Sequence, residues 1–179
     1  MSPTLETPRL LLRPFEERDA ADLYAYAKDP EVGLPAGWAP HESQAESLEI
    51  IRTVFSVPHV FAVVEKASGR VVGSAGFVER YRKQLPGPDD EIGYALSRAY
   101  WGRGYMPEVV AALLEYGFQE RGLNTIWCAC YDFNQKSRRV MEKCGFTYRL
   151  SERQWVETLD IECKDLQYAM TREEWEKTR

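Results

Sequence analysis

Apolar residues recur along this chain with two different periods, and the changes between them mark its elements. RLLLRPF, residues 9–15, is a short apolar run ending at Pro14 and predicts a strand. From Glu16 to Lys28, Ala20, Leu23, Tyr24 and Ala27 fall at helical spacing. Asp29-Pro30 ends that helix, because a residue before proline resists the helical conformation. After a proline-rich loop around Trp38, Ser43 and Glu46 have the spacing of a capping box. They open a helix that carries Leu48, Ile51, Val54 and Phe55.

HVFAVVEK and RVVGSAGFVERY predict two strands joined at Ala67-Ser68-Gly69. The polar stretch 82–90 reads as a loop, and EIGYALS as the next strand. Met106, Val109, Val110, Leu113, Leu114 and Gly117 form one buried helical stripe, ending near Gly122. TIWCACYD is a strand, and QKSRRVMEKC is a helix closed by Gly145. Residues 146–156 and 162–170 pair as a hairpin, and TREEWEKTR closes the sequence as a charged helical turn. Strands that meander and then enter a β-α-β unit predict a mixed sheet in one α/β domain spanning residues 1–179.

Composition narrows the function. With 179 residues, 44% of them hydrophobic, the chain can build a real core. A net charge of -5 argues against general affinity for nucleic acid or anionic lipid. The first fifteen residues hold no apolar run of signal-peptide or membrane-span length, so a cytoplasmic protein is expected. Cys128, Cys130, Cys144 and Cys163 match no usual zinc or redox spacing, and they read as reduced, buried thiols. No metal is expected.

The chemistry concentrates at YWGRGYMPEVV, residues 100–110, between a strand and a helix. A helix that starts straight after a glycine turn presents unpaired N–H groups at the positive end of its dipole. Such a junction is either a simple tight turn or a cradle for phosphate. Gly102 and Gly104 permit close approach, Pro107 removes one donor, and Arg103 adds a positive charge. A Rossmann site is disfavoured because no third glycine follows at the required spacing. Asn134 is a natural N-cap of the later helix, with Ser137 three residues on.

EIGYAL, YWGRGYMPEV and NQKSRRVMEKCGF, in this order, resemble successive motifs of the GNAT superfamily of acetyl-CoA-dependent N-acetyltransferases. LETPRLLLRPFEERDAADLYAYAKDPEV and DLQYAMTREEW are similar to the branch that acetylates N-termini of ribosomal proteins. The resemblance implies a mixed, largely antiparallel sheet of about seven strands, flanked by helices and splayed between the fourth and fifth. It implies acetyl-CoA as cosubstrate, held by the backbone of Trp101, Gly102, Arg103, Gly104, Tyr105 and Met106. It also implies contacts from Tyr94, Ala95 and Leu96 along the strand, and from Asn134 and Ser137 on the helix. Trp101 and Met106 depart from the general side-chain pattern of that turn.

Many family members use a tyrosine as general acid at the position of Met141, which cannot donate a proton. Ser137 is the implied substitute, with a plain first-turn role as the alternative. Glu91 is the implied base, with Glu157 weighed beside it. Trp38 and His41 fall in the region that borders the acceptor. The expected reaction is direct transfer to an amine. A protein or peptide N-terminal α-amine stands ahead of small amines, and a non-catalytic coenzyme A-binding module is the rival. A monomer and a homodimer fit equally.

Overall fold

The computed structural model describes residues 2–78, 82 and 84–179. Its strands are β1 (Leu5–Glu6), β2 (Leu10–Arg13), β3 (Val60–Glu65), β4 (Val71–Val78), β5 (Asp89–Leu96), β6 (Thr125–Tyr131), β7 (Thr147–Val156) and β8 (Ile161–Thr171). The helices are α1 (Ala20–Ala27), α2 (Pro30–Gly33), α3 (Gln44–Arg52), α4 (Tyr105–Glu115), α5 (Gln135–Lys143) and α6 (Arg172–Lys177). One eight-stranded sheet runs in the order β1-β2-β3-β4-β5-β6-β8-β7. The mixed α/β class is as the sequence predicts. The eighth strand is β1, a two-residue edge pairing Leu5 with Leu12, too short to leave a periodic signal.

Every neighbouring pair is antiparallel except β5 and β6, which α4 connects. Pairing of β5 with β6 runs from Asp89↔Thr125 to Ile92↔Cys128 and then stops. Both strands continue, so Gly93–Leu96 and Ala129–Tyr131 diverge. The expected splay therefore lies between these two strands.

Side-chain alternation divides the core in two. Phe61, Val63, Ile92 and Ile126 pack with Val109, Leu113 and Met141 beneath α4 and α5. Leu23, Tyr26, Ala27, Val32 and Ile51 build a second cluster, with Ala95 against it, beneath α1–α3. The predicted α4 stripe is buried throughout, including Gly117. At Gly117 a Cβ would lie 2.6 Å from the Ile126 side chain, so only glycine permits this approach to β6. Around it the helix relaxes into a π-helical turn, Tyr116–Glu120.

Several local expectations shift. Asp89 and Asp90 are not loop residues but buried strand positions. Asp89 accepts from the Trp127 indole and Asp90 pairs with Arg121, which gives each carboxylate a partner inside the sheet. Ser43 caps α3 through the Glu46 amide, but the Glu46 carboxylate turns to the Glu42 amide and leaves the box half formed. Val54 is exposed rather than part of the helix stripe. Glu79, Arg80 and Tyr81 of the predicted third strand, and Lys83 of the loop, lie outside the described residues.

Candidate active site

The divergence of β5 and β6 opens a cavity of about 1310 Å³. Its walls are the free ends of these strands, the turn before α4, the first turns of α5 and the segment around α2. A sheet can part here because the side chains that line the gap replace the ladder on one side only. β5 keeps its full pairing with β4, from Val78↔Glu91 to Gly73↔Leu96.

On β5, the Ser97 amide donates to Val72 on β4 at 2.7 Å. Strand alternation then turns the amides of Tyr94 and Leu96 toward the gap. These are donors for an extended, amide-rich ligand or for a developing oxyanion. Tyr94, Ala95 and Leu96 all line the cavity, as do Trp101, Gly102, Gly104, Tyr105, Met106, Asn134 and Ser137.

The turn is built as an amide cradle. Gly102 and Gly104 have φ of 78° and 77°, left-handed values that a side chain disfavours. Gly104 is the N-cap of α4 and carries no capping side chain. Among the described residues the amides of Gly102, Arg103 and Gly104 make no backbone bond, and those of Tyr105 and Met106 precede the first intrahelical acceptor. The donors converge at the positive end of an eleven-residue helix. The Arg103 side chain leaves this cluster. It lies over Tyr100, 4.9 Å from the ring centroid, with Nη1 3.9 Å from Glu65, while its carbonyl accepts from Arg9.

Trp101 takes a role that its sequence position did not disclose. Its indole N–H donates to the Leu96 carbonyl at 2.9 Å, and Lys136 Nζ sits 3.6 Å from the ring centroid. The indole thus ties the turn to β5 and, by a cation–π contact, to the start of α5.

α5 begins at Asn134, whose Oδ1 accepts from the Ser137 amide at 3.3 Å. It ends at Gly145, φ 94°, in a Schellman motif: Phe146 N bonds Met141 O, and Gly145 N bonds Glu142 O. Ser137 Oγ lies 2.8 Å from the Tyr94 hydroxyl. Burial pushes the Tyr94 phenol well above its ordinary range, and the neighbouring Cys128 thiol adds to the shift. Lys136, Arg139 and Lys143 also line the cavity. Their i, i+3, i+7 spacing is a basic helical stripe, the signal by which the sequence could have disclosed them.

The cavity also has acidic lining residues. Glu31, Glu91 and Asp165 line it, with Trp38 and Gln154. Glu91 is buried and forms an ion pair with Arg82, whose guanidinium lies 5.4 Å from the Trp127 ring centroid. Glu157 lies instead in the exposed turn between β7 and β8. Trp38 packs on Gly33, where an added Cβ would lie 2.6 Å from its ring. His41 does not line the cavity. Its Nδ1 bonds the Ser47 hydroxyl at 2.8 Å, and its ring sits 5.6 Å from that of Trp38, on the helix side. Partial burial lowers its pKa, although Glu46 opposes the shift. The α2 segment is tied across the gap: Asn134 donates to Pro35 O, and Thr158 to Gly37 O. Among the described residues no His, Cys, Asp and Glu cluster could hold a metal, and no helix is long and apolar enough to cross a membrane.

Comparison with known proteins matches residues 9–147 to the acetyltransferase (GNAT) domain. The uncharacterized N-acetyltransferase p20 of Bacillus licheniformis is 30% identical over 150 residues, covering 80% of this chain and 82% of the relative. FsC-acetyl coenzyme A-N(2)-transacetylase of Aspergillus fumigatus is 28% identical over 190 residues, covering 97% of this chain and 78% of the relative. The crystal structure of ribosomal-protein-S5-alanine acetyltransferase from Vibrio fischeri superposes with a TM-score of 0.73 at 19% identity, covering 97% of this chain and 98% of that one. A parted β5–β6 pair, an amide cradle opening α4 and a family match across most of the sequence lead to one conclusion: this chain belongs to the GNAT acetyltransferases, enzymes that transfer an acetyl group to an amine.

Proposed function

We propose that this enzyme acetylates the α-amine of a peptide or protein N-terminus, with acetyl-CoA bound along β5 and the cradle. The residues present fit that cosubstrate: unpaired amides and the Lys136–Arg139–Lys143 stripe suit its phosphates, and the gap-facing amides of Tyr94 and Leu96 suit its amide arm. Acetyl-CoA supplies an activated thioester, whose carbon–sulfur bond is exchanged for a carbon–nitrogen bond as the electron pair leaves on sulfur and the amine proton passes to solvent.

The observation that carries the choice of acceptor is the Glu91–Arg82 ion pair. A carboxylate whose oxygen already holds a guanidinium is not free to take up the proton of a strongly basic amine. An α-amine, with a pKa near 7.7–8, is already neutral to roughly a tenth at neutral pH, whereas a lysine amine is neutral to below about 0.1%. Glu31 and Asp165 then draw in the cationic acceptor electrostatically, and Trp38 forms a wall for its first side chain. A direct attack needs no covalent acetyl-enzyme. Burial pushes Cys128 and Cys130 up, the latter to about 12, so neither is a ready nucleophile.

Peptides with a free α-amine and acetylated lysines, assayed against peptides of the same sequence with a blocked α-amine and free lysines, test the reading. Acetyl transfer read by mass should require the free α-amine. Transfer to lysine alone would overturn it. A small-molecule amine is the second reading. It is favoured by the 28% identity to the fungal N(2)-transacetylase over nearly the whole chain, and a panel of free amines separates the two.

A further inference from the structure

Among the described residues, glycines lie inside strands at Gly73, Gly76 and Gly93, and only the last has room for a side chain. At Gly73 an added Cβ would lie 2.4 Å from the Ala95 carbonyl oxygen, and at Gly76 2.5 Å from that of His59. Packing therefore demands glycine at both positions on β4. At Gly93 on β5 a Cβ would meet Val78 Cγ2 at 4.0 Å, an ordinary contact. Its φ also lies outside the left-handed region. A glycine inside a strand weakens it, and where packing does not require one it marks a place that a ligand approaches closely.

The position is open as well as roomy. Gly93 is exposed although β5 lies between β4 and β6 within the sheet. It is the first β5 residue beyond the last pair with β6, Ile92↔Cys128, and it lines the cavity. Strand alternation places it on the face of Glu91 and Ala95. Ala95 packs toward α1–α3, as does Trp38, whereas Ile92 and Leu96 pack toward α4. The helices that carry the cradle and the basic stripe thus cover the opposite face, and the Gly93 face looks toward Trp38.

We propose that Gly93 is a specificity-determining residue, and that the space left by its missing side chain receives the substituent on the carbon bearing the acceptor amine. An amine that reaches the edge of β5 from this face carries its neighbouring carbon across Gly93. A side chain there would fill that path and leave the amides of Tyr94 and Leu96 in place.

The inference rests on this cavity being the site of acetyl transfer, not on the acceptor being a peptide. The test compares acceptors that differ only beside the amine: peptides of one sequence beginning with Gly or Leu, and n-butylamine against sec-butylamine. For Gly93→Val, the ratio of kcat/KM for the branched acceptor to that for the unbranched one should fall about tenfold or more in whichever pair is acetylated. Gly93→Ala should lower the ratio in the same direction and by less. Affinity for coenzyme A should stay within about twofold of the native value, because the strand edge is unchanged. The midpoint of denaturant unfolding should not fall, since a β-branched residue suits a strand better than glycine does.

Equal losses for branched and unbranched acceptors would overturn the proposal, and so would unchanged ratios in both variants. Gly93→Ala, whose methyl group finds room, carries the test alone if Gly93→Val folds poorly. A ratio that falls for the butylamines while no peptide is acetylated would sustain this inference and defeat the N-terminal reading. Peptide acetylation with unchanged ratios would do the reverse.

Discussion

The indole N–H of Trp101 donates to the carbonyl of Leu96 at 2.9 Å, locking the amide cradle to the strand that ends five residues earlier. Trp101→Phe keeps the ring beneath Lys136 but removes this bond. The Leu96 carbonyl faces the cavity, which is open to solvent, so in the variant water replaces the indole rather than leaving the oxygen orphaned. The expected loss of stability is thus about 0.5–1 kcal/mol. Affinity for acetyl-CoA should fall more clearly, by about three- to tenfold, as the cradle loses its anchor. Denaturant unfolding and calorimetric titration measure the two effects separately.

Gly102 and Gly104 differ from most glycines in the fold because their surroundings would tolerate a methyl group while their backbone would not. A Cβ on Gly102 meets nothing within 4 Å, and one on Gly104 is 3.5 Å from Arg9. Alanine at either position should cost about 1–2 kcal/mol from the left-handed conformation alone. A relaxed turn would also misdirect its amides, so coenzyme A binding should weaken in both variants. Unaltered affinity in Gly104→Glu, where a carboxylate joins the cradle, would remove the phosphate assignment.

The basic stripe on α5 should make coenzyme A binding sensitive to salt. Arg139 and Lys143 lie on the cavity wall with Lys136, and exposed charges are screened over about 8 Å at physiological ionic strength. Dissociation constants measured over a range of potassium chloride should rise with salt for the native enzyme. They should rise less steeply for Arg139→Gln combined with Lys143→Gln.

Glu108 couples stability to pH. Burial alone would raise its pKa, but bonds from the Thr7 hydroxyl, the Arg9 amide and the Arg9 guanidinium outweigh it and hold the carboxyl below 4.5. A depressed folded pKa means that the unfolded chain binds more protons as the solution is acidified. The contribution of Glu108 is complete above about pH 4.5 and is lost as pH falls through its folded pKa. Glu108→Gln should destabilise the protein at neutral pH and flatten the acid limb of a stability–pH profile from chemical denaturation.

Gly33 shapes the acceptor side. A Cβ there would lie 2.6 Å from the Trp38 ring and 2.8 Å from its carbonyl, so Gly33→Ala must displace the segment. Because this segment makes no hydrogen bond to the cradle among the described residues but lines the cavity with Glu31 and Trp38, KM for the amine should rise several-fold while coenzyme A affinity is retained. Steady-state kinetics with the acetylatable peptide check this.

The period of the apolar residues was enough to determine most elements. The α4 stripe, the hairpin of β7 and β8, and the caps at Asn134 and Gly145 are local statements written in adjacent residues. The amide cradle was legible for the same reason, since two glycines before a helix describe its geometry without reference to anything distant. Residues paired across the fold were not legible. Asp89 and Asp90 read as loop because carboxylates rarely enter a strand, and only the tertiary approach of Trp127 and Arg121 permits their burial. The union of Tyr94 with Ser137, 43 residues apart, and of Glu91 with Arg82 depends on where the sheet parts. His41 shared a loop with Trp38 in the sequence, yet its bond to Ser47 turns it from the cavity. Local periodicity sets which segments form strands and helices, because each residue's burial repeats with the element. Which side chains converge on one gap is decided only when strands far apart in sequence settle into register.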